Sequence, residues 1–325
     1  MCYAGRAKVA GRAAGGKSRR AGKGDPMTEN MRDQTFGVEV EMVMSRENAA
    51  RILAEHFGTT PRYIGGAYCA WKVPDGQGRQ WTLERDSSIQ TANDEHKCEF
   101  VTPICRWEDI ETVQELIRKL RAAGAKAHSS CGIHVHIGLG DHTPQTLRNL
   151  VNIVNAHEDL LTYSLAISPE RRGRWCREVD QRFLERLNRK KPRTSEELAQ
   201  IWYDDTDWRY HAHSHYDPSR YHLLNLHAVW QKGTVEFRAF NSTLHAGEIK
   251  SYVQLCMAVS FQALSVRTAS PARTETDNPA YTFRCWLLRL GLNGDEFKTA
   301  RTHLLKNLPG NAAWRHGAPT TRRTA

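Results

Sequence analysis

Three short stretches of the sequence carry polar groups at alternate positions: Glu39-Val40-Glu41, His134-Val135-His136 and Glu236-Phe237-Arg238. Residues i and i+2 of a strand share a face, so each pair is predicted to point in one direction. The intervening and flanking residues are mostly apolar, which predicts a polar face opposite a buried face. Buried charges are costly without partners, so such a face indicates a site for metal ions and an anionic ligand.

Four acidic residues are candidates for this site: Glu39, Glu41, Asp86 and Glu99. An isolated Glu-x-Glu pair is often only a pair of solvated charges on an edge strand. Here two further acids lie in or beside other predicted strands. Hard divalent cations take several carboxylate oxygens, and Mg²⁺ is commonly held between phosphates and one or a few carboxylates.

The histidine pair has an alternative interpretation. His134 and His136, assisted by Cys131, could bind Zn²⁺ in a metal-dependent hydrolase, which would need a third ligand and an open coordination position. They could also be buried histidines with satisfied hydrogen bonds. The alternating trio His211, His213 and His215 offers further ligands, but its surroundings are more typical of a mobile loop.

Glu236 and Arg238 could form a surface ion pair, which is a weak feature. Their apolar setting in Thr234–Asn241 instead favours an inward pair. A guanidinium beside metal carboxylates suits a transferring phosphoryl group, whose charge it can bind through two hydrogen bonds. Arg220 and Asn225 are further candidates for this role.

The sequence pattern predicts alternating strands and helices in the first third of the chain, and mostly helices later. Strands are predicted at 35–44, 81–85, 97–102 and 132–138, helices at 46–57, 107–123, 144–167, 170–191, 194–201, 245–266, 280–290 and 296–305, a connecting passage at 58–78 and an exposed loop at 202–219. Residues 221–230 and 234–240 are predicted to form a β-hairpin with Gly233 at its turn.

The composition excludes some classes of protein. The sequence contains no run of about 18 apolar residues, so no membrane span is predicted. Its eight scattered cysteines, without a CxxC pair, favour reduced thiols and a cytoplasmic location. The net charge of +10 comes from the termini: residues 1–24 hold seven Lys/Arg and residues 315–325 hold three Arg, which leaves 36 basic and 36 acidic residues between them. Nucleic-acid binding by the body is therefore disfavoured, although the tails could carry a binding module to nucleic acid or to an acidic partner.

The basic N-terminus contains one formal motif. Gly11–Ser18 satisfies the P-loop pattern, but neither a buried strand before it nor a helix after it is predicted, so a chance match is favoured. The organisation we predict is a disordered basic extension at 1–34, one catalytic domain at 35–308 and a disordered basic tail at 309–325.

Six motifs, in this order, resemble those of amidoligases, a group of carboxylate–amine ligases related to glutamate–cysteine ligase. They are Phe36–Glu41, Asp86–Ile89, Cys98–Pro103, Cys131–His136, Arg220–Asn225 and Thr234–Asn241. The resemblance runs from about Thr35 to Ser265. It departs at Ser87, where a glycine is expected.

This resemblance implies an α+β fold with a curved antiparallel sheet, a half-barrel like that of glutamine synthetase, and helices on its outer side. It implies an ATP-dependent ligase that joins a small-molecule or peptide carboxylate to an amine through an acyl phosphate, with ATP and Mg²⁺ or Mn²⁺. By position, the metal ligands would be Glu39, Glu41, Glu99, Glu236 and His134. Arg238, Arg220 and His136 would act in catalysis, and Asp86, Asn225 and Asn241 would bind substrate. Neither the two substrates nor the oligomeric state follows from the motifs.

Overall fold

The structure, a computed structural model, describes residues 30–316. The P-loop-like segment at 11–18 and most of both basic tails lie outside this range. Met31 and Gln34, which precede the predicted domain start, are packed: Met31 is buried, and the Gln34 amide donates to the carbonyl oxygen of Met257 at 2.9 Å.

The bounds of the regular elements are as follows. The strands are β1 (Phe36–Val43), β2 (Arg62–Gly65), β3 (Ala70–Pro74), β4 (Gln80–Glu84), β5 (Lys97–Val101), β6 (Gly132–Gly138), β7 (Leu224–Asn225) and β8 (Thr234–Asn241). The α-helices are α1 (Arg46–Phe57), α2 (Asp109–Ala122), α3 (Pro144–Ser164), α4 (Pro169–Arg174), α5 (Gln181–Lys190), α6 (Ser195–Tyr203), α7 (Trp208–His213), α8 (His227–Lys232), α9 (Ala246–Ser265), α10 (Pro279–Arg289) and α11 (Lys298–Leu305).

Within the described residues the strands form one sheet in the order β2-β3-β4-β5-β1-β6-β8-β7, and every neighbouring pair is antiparallel. The sheet is open. The predicted mixed fold with an antiparallel sheet is therefore confirmed at this level, whereas the half-barrel of glutamine synthetase stays a prediction.

Helices cover the apolar face of the sheet. α1 packs on β3 and β4, while α9 packs on β1 and β6 and also contacts α2, α3 and α11. The alternation of β1 explains this layering, because Val38, Val40 and Met42 belong to the buried apolar cluster whereas Glu39 and Glu41 take the other face. Side-chain caps set the starts of the covering helices; Ser45 accepts from the backbone N–H of Asn48 at the start of α1.

The predicted hairpin at 221–240 is largely wrong. Of its first arm only β7 pairs with β8, and the arm ends in the helix α8. Gly233, read as a hairpin turn, has φ +66° and ends that helix in the left-handed conformation. Glycine serves both functions, so the residue type alone did not distinguish them.

Two other predicted segments differ from the structure. The helix predicted at 170–191 is broken into α4 and α5, because residues 177–179 run beside the chain at 221–223 and Asp180 caps a new helix by accepting from the backbone N–H of Phe183. The connecting passage at 58–78 contains β2 and β3. The loop at 202–219 contains the short helix α7.

Two further observations concern the described residues. The seven cysteines among them are all free. No helix between residues 30 and 316 has both the length and the apolar character needed to span a membrane.

Candidate active site

Strand register brings the predicted site residues together on the polar face of the sheet. Glu41 on β1 lies opposite Glu99 on β5, and Glu39 lies opposite His134 on β6. His136 in turn lies opposite Glu236 on β8. Directly opposed residues of an antiparallel pair have Cβ atoms about 4.5–5.5 Å apart, so these pairings place six polar side chains in adjoining rows.

A cavity of about 650 Å³ opens over these rows. Seven of the predicted site residues line it: Glu39, Glu41, Asp86, Glu99, His134, Arg220 and Arg238. Glu236 lies beneath them and is 2 % exposed. His136 lines an adjoining cavity of about 410 Å³, which shares Glu39 with the first.

The two histidines and Glu39 form a buried cluster. His134 Nδ1 lies 3.0 Å from Glu39 Oε2, and His136 Nε2 lies 3.2 Å from Glu39 Oε1 and 3.7 Å from Glu236 Oε1. His136 Nδ1 lies 2.9 Å from Thr234 Oγ1, which orients the ring, whereas its buried Nε2 makes no aligned hydrogen bond despite its closeness to Glu39. Burial and the nearby Arg238 lower the pKa of His134 to about 4, despite its contact with Glu39.

The carboxylates form an electrostatically crowded group. Burial and the neighbouring Asp86 raise the pKa of Glu41 to about 8. Burial, together with Glu39 and Asp86, raises the pKa of Glu99 well above its usual range. The crowding is physically costly without positive charge between the carboxylates.

The donor set fits hard divalent cations. Ligand atoms of three overlapping groups come within 4.8 Å of one another: Glu39, Glu99 and His134; Glu41, Asp86 and Glu99; and Glu39, His136 and Glu236. Carboxylate oxygens dominate each group, as Mg²⁺ and Mn²⁺ prefer. A divalent cation held here would give the Nε2 of His136 a partner and would offset the repulsion between Glu41 and Glu99.

Each oxygen of the Glu236 carboxylate accepts a hydrogen bond. Arg238 Nη1 donates to its Oε1 at 2.5 Å and Asn225 Nδ2 donates to its Oε2 at 2.5 Å. Burial alone would raise the pKa of Glu236, but Arg238 and the two histidines hold this pKa well below its usual range. Asn225 thus orients a carboxylate, a different task from the substrate contact that the resemblance implied.

Arg220, Asp86 and Asn241 differ in how their side chains are held. Arg220 is held by a hydrogen bond from its Nη1 to the carbonyl oxygen of His215 at 2.9 Å. Asp86 accepts from the backbone N–H of Ser88 at 2.6 Å and faces Glu41 and Glu99. Asn241 does not line the cavity: its side chain bonds to the carbonyl oxygen of Ala166 and the N–H of Ser168.

Several lining residues were not predicted from the sequence. Lys232 Nζ lies 2.8 Å from Glu39 Oε1, and its position just before Gly233 and the strand of Glu236 was a usable signal. Glu84 extends the acidic row, since it lies opposite Glu99 on β4. Arg171 comes from α4, and nothing in its local sequence indicated a site.

The segment 202–219 borders the cavity through its last residues. His215 and Tyr216 line the cavity, and His215 Nε2 lies 3.3 Å from the Tyr68 hydroxyl on the opposite rim. The histidine trio of this segment, which the sequence favoured as part of a loop, does not converge: His211 lies between Asp205 and Asp217, at 3.2 and 2.8 Å, and His213 is exposed. Among residues 30–316, neither this trio nor Cys131 belongs to any group that could hold a metal ion.

Three comparisons with known proteins complete this description. No curated protein matches the sequence. Among solved structures, the bifunctional glutathione synthetase from Pasteurella multocida matches with a TM-score of 0.39 and 13% sequence identity; the alignment covers 87% of this chain and 48% of that one, so the protein spans about half its length. A sequence model of one family, described as "Putative amidoligase enzyme", matches residues 32–260. Because this match spans well over half of the chain, the protein belongs to this amidoligase family.

Proposed function

We propose that this protein is an ATP-dependent carboxylate–amine ligase that forms an amide bond through an acyl-phosphate intermediate, with its catalytic unit in residues 35–308. The observation that carries the proposal is the opposed pair Glu41 and Glu99, in a carboxylate-lined cavity that also contains Arg238 and Lys232. The family match agrees with it.

The metal ligands we propose are Glu39, Glu41, Glu99, Glu236 and His134. A bound Mg²⁺ or Mn²⁺ would neutralise phosphate charge and favour attack at the γ-phosphorus. The residues of the chain contribute positioning: Asn225 and Arg238 hold Glu236, and Asp86 completes the acidic end of the cavity.

In the first step, an oxygen of the substrate carboxylate forms a bond to the γ-phosphorus of ATP, and the bond from that phosphorus to the bridging oxygen breaks to release ADP. Arg238 and Lys232 would bind the phosphoryl oxygens during this transfer. Arg220, whose buried Nε has no hydrogen-bond partner, would steady the phosphate.

In the second step, the amine nitrogen bonds to the acyl carbon, the carbon–oxygen bond to phosphate breaks, and the nitrogen loses a proton. His136 is the proposed acceptor of that proton. Its Nε2 makes no aligned hydrogen bond, although Glu39 lies 3.2 Å away, and its Nδ1 is held by Thr234.

A zinc hydrolase built on His134 and His136 is less well supported. Zn²⁺ sites favour nitrogen and sulfur ligands, whereas each of the three possible groups contains one histidine at most and two or three carboxylates. Substrate turnover with Zn²⁺ and without nucleotide would favour that alternative.

The proposed activity can be tested before the amine is known. Hydroxylamine replaces the amine and converts an acyl phosphate into a hydroxamate, which is measured by its ferric complex. The full chain is incubated with ATP, Mg²⁺ and a panel of metabolite acids. We expect at least one acid to give hydroxamate and ADP in equal amounts. No nucleotide-dependent product with any acid, together with no binding of ATP, would contradict the proposal.

A further inference from the structure

Arg171 is a buried cation at the wall of the cavity. Arg171 is 3 % exposed to solvent, and its guanidinium lies directly against Gly132. A Cβ atom at position 132 would come within 2.4 Å of Arg171 Nη1, so only glycine leaves room for this arrangement. The packing of Arg171, on α4, against β6 therefore depends on the absence of a side chain at position 132.

The guanidinium has weak partners. Its Nη1 and Nη2 donate to the carbonyl oxygens of Cys131 and Arg238, at 3.4 and 3.1 Å, and its buried Nε has no hydrogen-bond partner. Within residues 30–316 it forms no salt bridge within 4.0 Å, and Glu41, which accepts from the backbone N–H of Gly132, acts on it only over a longer distance. Burial accordingly lowers the pKa of Arg171.

The other cations of the cavity differ in this respect. Arg238 pairs with Glu236, Lys232 with Glu39 and Arg85 with Asp94. Arg220 is less buried and lies on the loop at the rim. A charge taken out of water without a counter-ion is expensive, and Arg171 is the cation of this cavity in which burial and the lack of a carboxylate partner are combined.

The wall around Arg171 is basic and aromatic. Trp175 and Tyr221 lie with ring centroids 5.4 Å apart, and the guanidinium of Arg238 lies 5.8 Å from the Tyr221 ring. The acidic residues Glu84, Asp86 and Glu99 line the same cavity. The cavity thus combines a group of carboxylates with a buried guanidinium that makes no carboxylate contact of its own.

We propose that Arg171 binds a second carboxylate of the acid substrate, so that the acid is a dicarboxylate whose other carboxylate reacts. This inference rests on the proposed ligase function. The planar guanidinium fork matches a carboxylate, which would supply both the missing charge and a partner for Nε. A site whose buried polar groups lack hydrogen-bond partners discriminates strongly against a substrate analogue that lacks the second carboxylate.

The test compares acids of equal chain length with one or two carboxylates. Succinate, glutarate and adipate are titrated beside butyrate, valerate and hexanoate by calorimetry, with Mg²⁺ and with or without a non-hydrolysable ATP analogue. We expect at least one dicarboxylate to bind at least tenfold more tightly than its monocarboxylate counterpart. Equal affinities throughout the series would overturn the inference.

Arg171→Lys keeps the charge and removes the fork, so we expect the tenfold preference to disappear while affinity for the ATP analogue changes less than twofold. Arg172→Lys, an exposed neighbour paired with Glu178, should behave as wild type. Gly132→Ala is an independent variant, which should displace the guanidinium of Arg171 without removing it. We expect it also to lose the preference for dicarboxylates. If Arg171→Lys does not fold, the result with Gly132→Ala tests the inference.

Two results separate this inference from the proposed function. If Arg171→Lys retains the preference, or instead loses affinity for the ATP analogue, Arg171 does not bind the second carboxylate. If the wild type fails to bind the ATP analogue, the ligase proposal fails, and the titrations without nucleotide still show whether the dicarboxylate preference depends on Arg171.

Discussion

Glu41 and Glu99 lie directly opposite each other on β1 and β5, both buried, and Glu84 continues the row on β4. Like charges in directly opposed positions destabilise a sheet. The sheet therefore has an electrostatic cost at this point, which protonation or a bound cation would relieve. Such a cost at a single place indicates a functional site rather than a structural one.

The first prediction concerns Glu41→Gln in the absence of metal. The raised pKa of Glu41 means that its protonated form favours folding, so stability is lost as pH rises from the unfolded value near 4.5 through about 8. Gln keeps an acceptor for the N–H of Gly132 and removes the charge. At pH 8 we expect the free energy of unfolding of the variant to be roughly 2 kcal/mol larger than that of wild type. At pH 4 we expect the two free energies of unfolding to differ little.

Urea denaturation in EDTA at both pH values measures this effect, with the exposed Glu55→Gln as the control. Added Mg²⁺ or Mn²⁺ should then stabilise the wild type by about 2–3 kcal/mol at a hundredfold excess over Kd, and Glu41→Gln much less. A variant that is less stable than wild type at pH 8 without metal would contradict the account of this carboxylate cluster.

Lys232→Met should separate metal binding from nucleotide binding. Lys232 is the partner of Glu39 Oε1, so removing it leaves Glu39 free for a cation but removes a charge available to phosphate. We expect equal or tighter Mn²⁺ binding, and ATP affinity reduced about tenfold. Calorimetry of both ligands measures this, with exposed Lys119→Met as the control. Unchanged ATP affinity would remove Lys232 from the phosphate site.

Arg238→Lys should impair the transfer step more than the binding of ATP. The variant keeps a positive charge near Glu236 but loses the planar fork that can hold two phosphoryl oxygens. We expect the rate of hydroxamate formation to fall about a hundredfold and the Kd for ATP to change by less than about threefold. Rapid-quench kinetics with saturating ATP separates the two effects. Wild-type rates in this variant would exclude Arg238 from catalysis.

The segment bordering the cavity should loosen as pH rises. Hydrogen bonding to Asp217 and then to Asp205 raises the pKa of His211, and both ring nitrogens can donate only in the charged form. The stabilisation is complete below the unfolded pKa of about 6.5 and is lost as pH rises through the higher folded value. Hydrogen exchange over residues 204–217, corrected for intrinsic rates, should therefore lose protection between pH 6 and 8. His211→Gln should remove this dependence, and exposed His213→Gln should not. Equal pH dependence in both variants would contradict the assignment.

Alternating polar and apolar residues were sufficient to predict β1 and β6 and the polar face that they share, because the period of a strand fixes which side each residue takes. The pairing of these strands could not be derived from the period, and it is the register of Glu41 with Glu99 that gives the carboxylates their proximity. The order of the motifs indicated the family, but not this geometry.

Other parts of the site depend on long-range contacts that local pattern does not contain. Arg171 is an arginine in a short charged helix, where a surface position is the ordinary expectation, and only the approach of α4 to Gly132 buries it. Lys232 reaches Glu39 because α8 occupies the segment where a hairpin arm was predicted. Both errors arise where tertiary packing overrides local preference.

The most direct test of the central claim is the fate of oxygen from the acid substrate. An acid found in the hydroxylamine screen is labelled with ¹⁸O in its carboxylate and incubated with ATP, Mg²⁺ and an amine, and the released phosphate is analysed by mass spectrometry. An acyl-phosphate route predicts one ¹⁸O atom in each phosphate released, and no product from Glu41→Gln. Unlabelled phosphate alongside amide formation would contradict it.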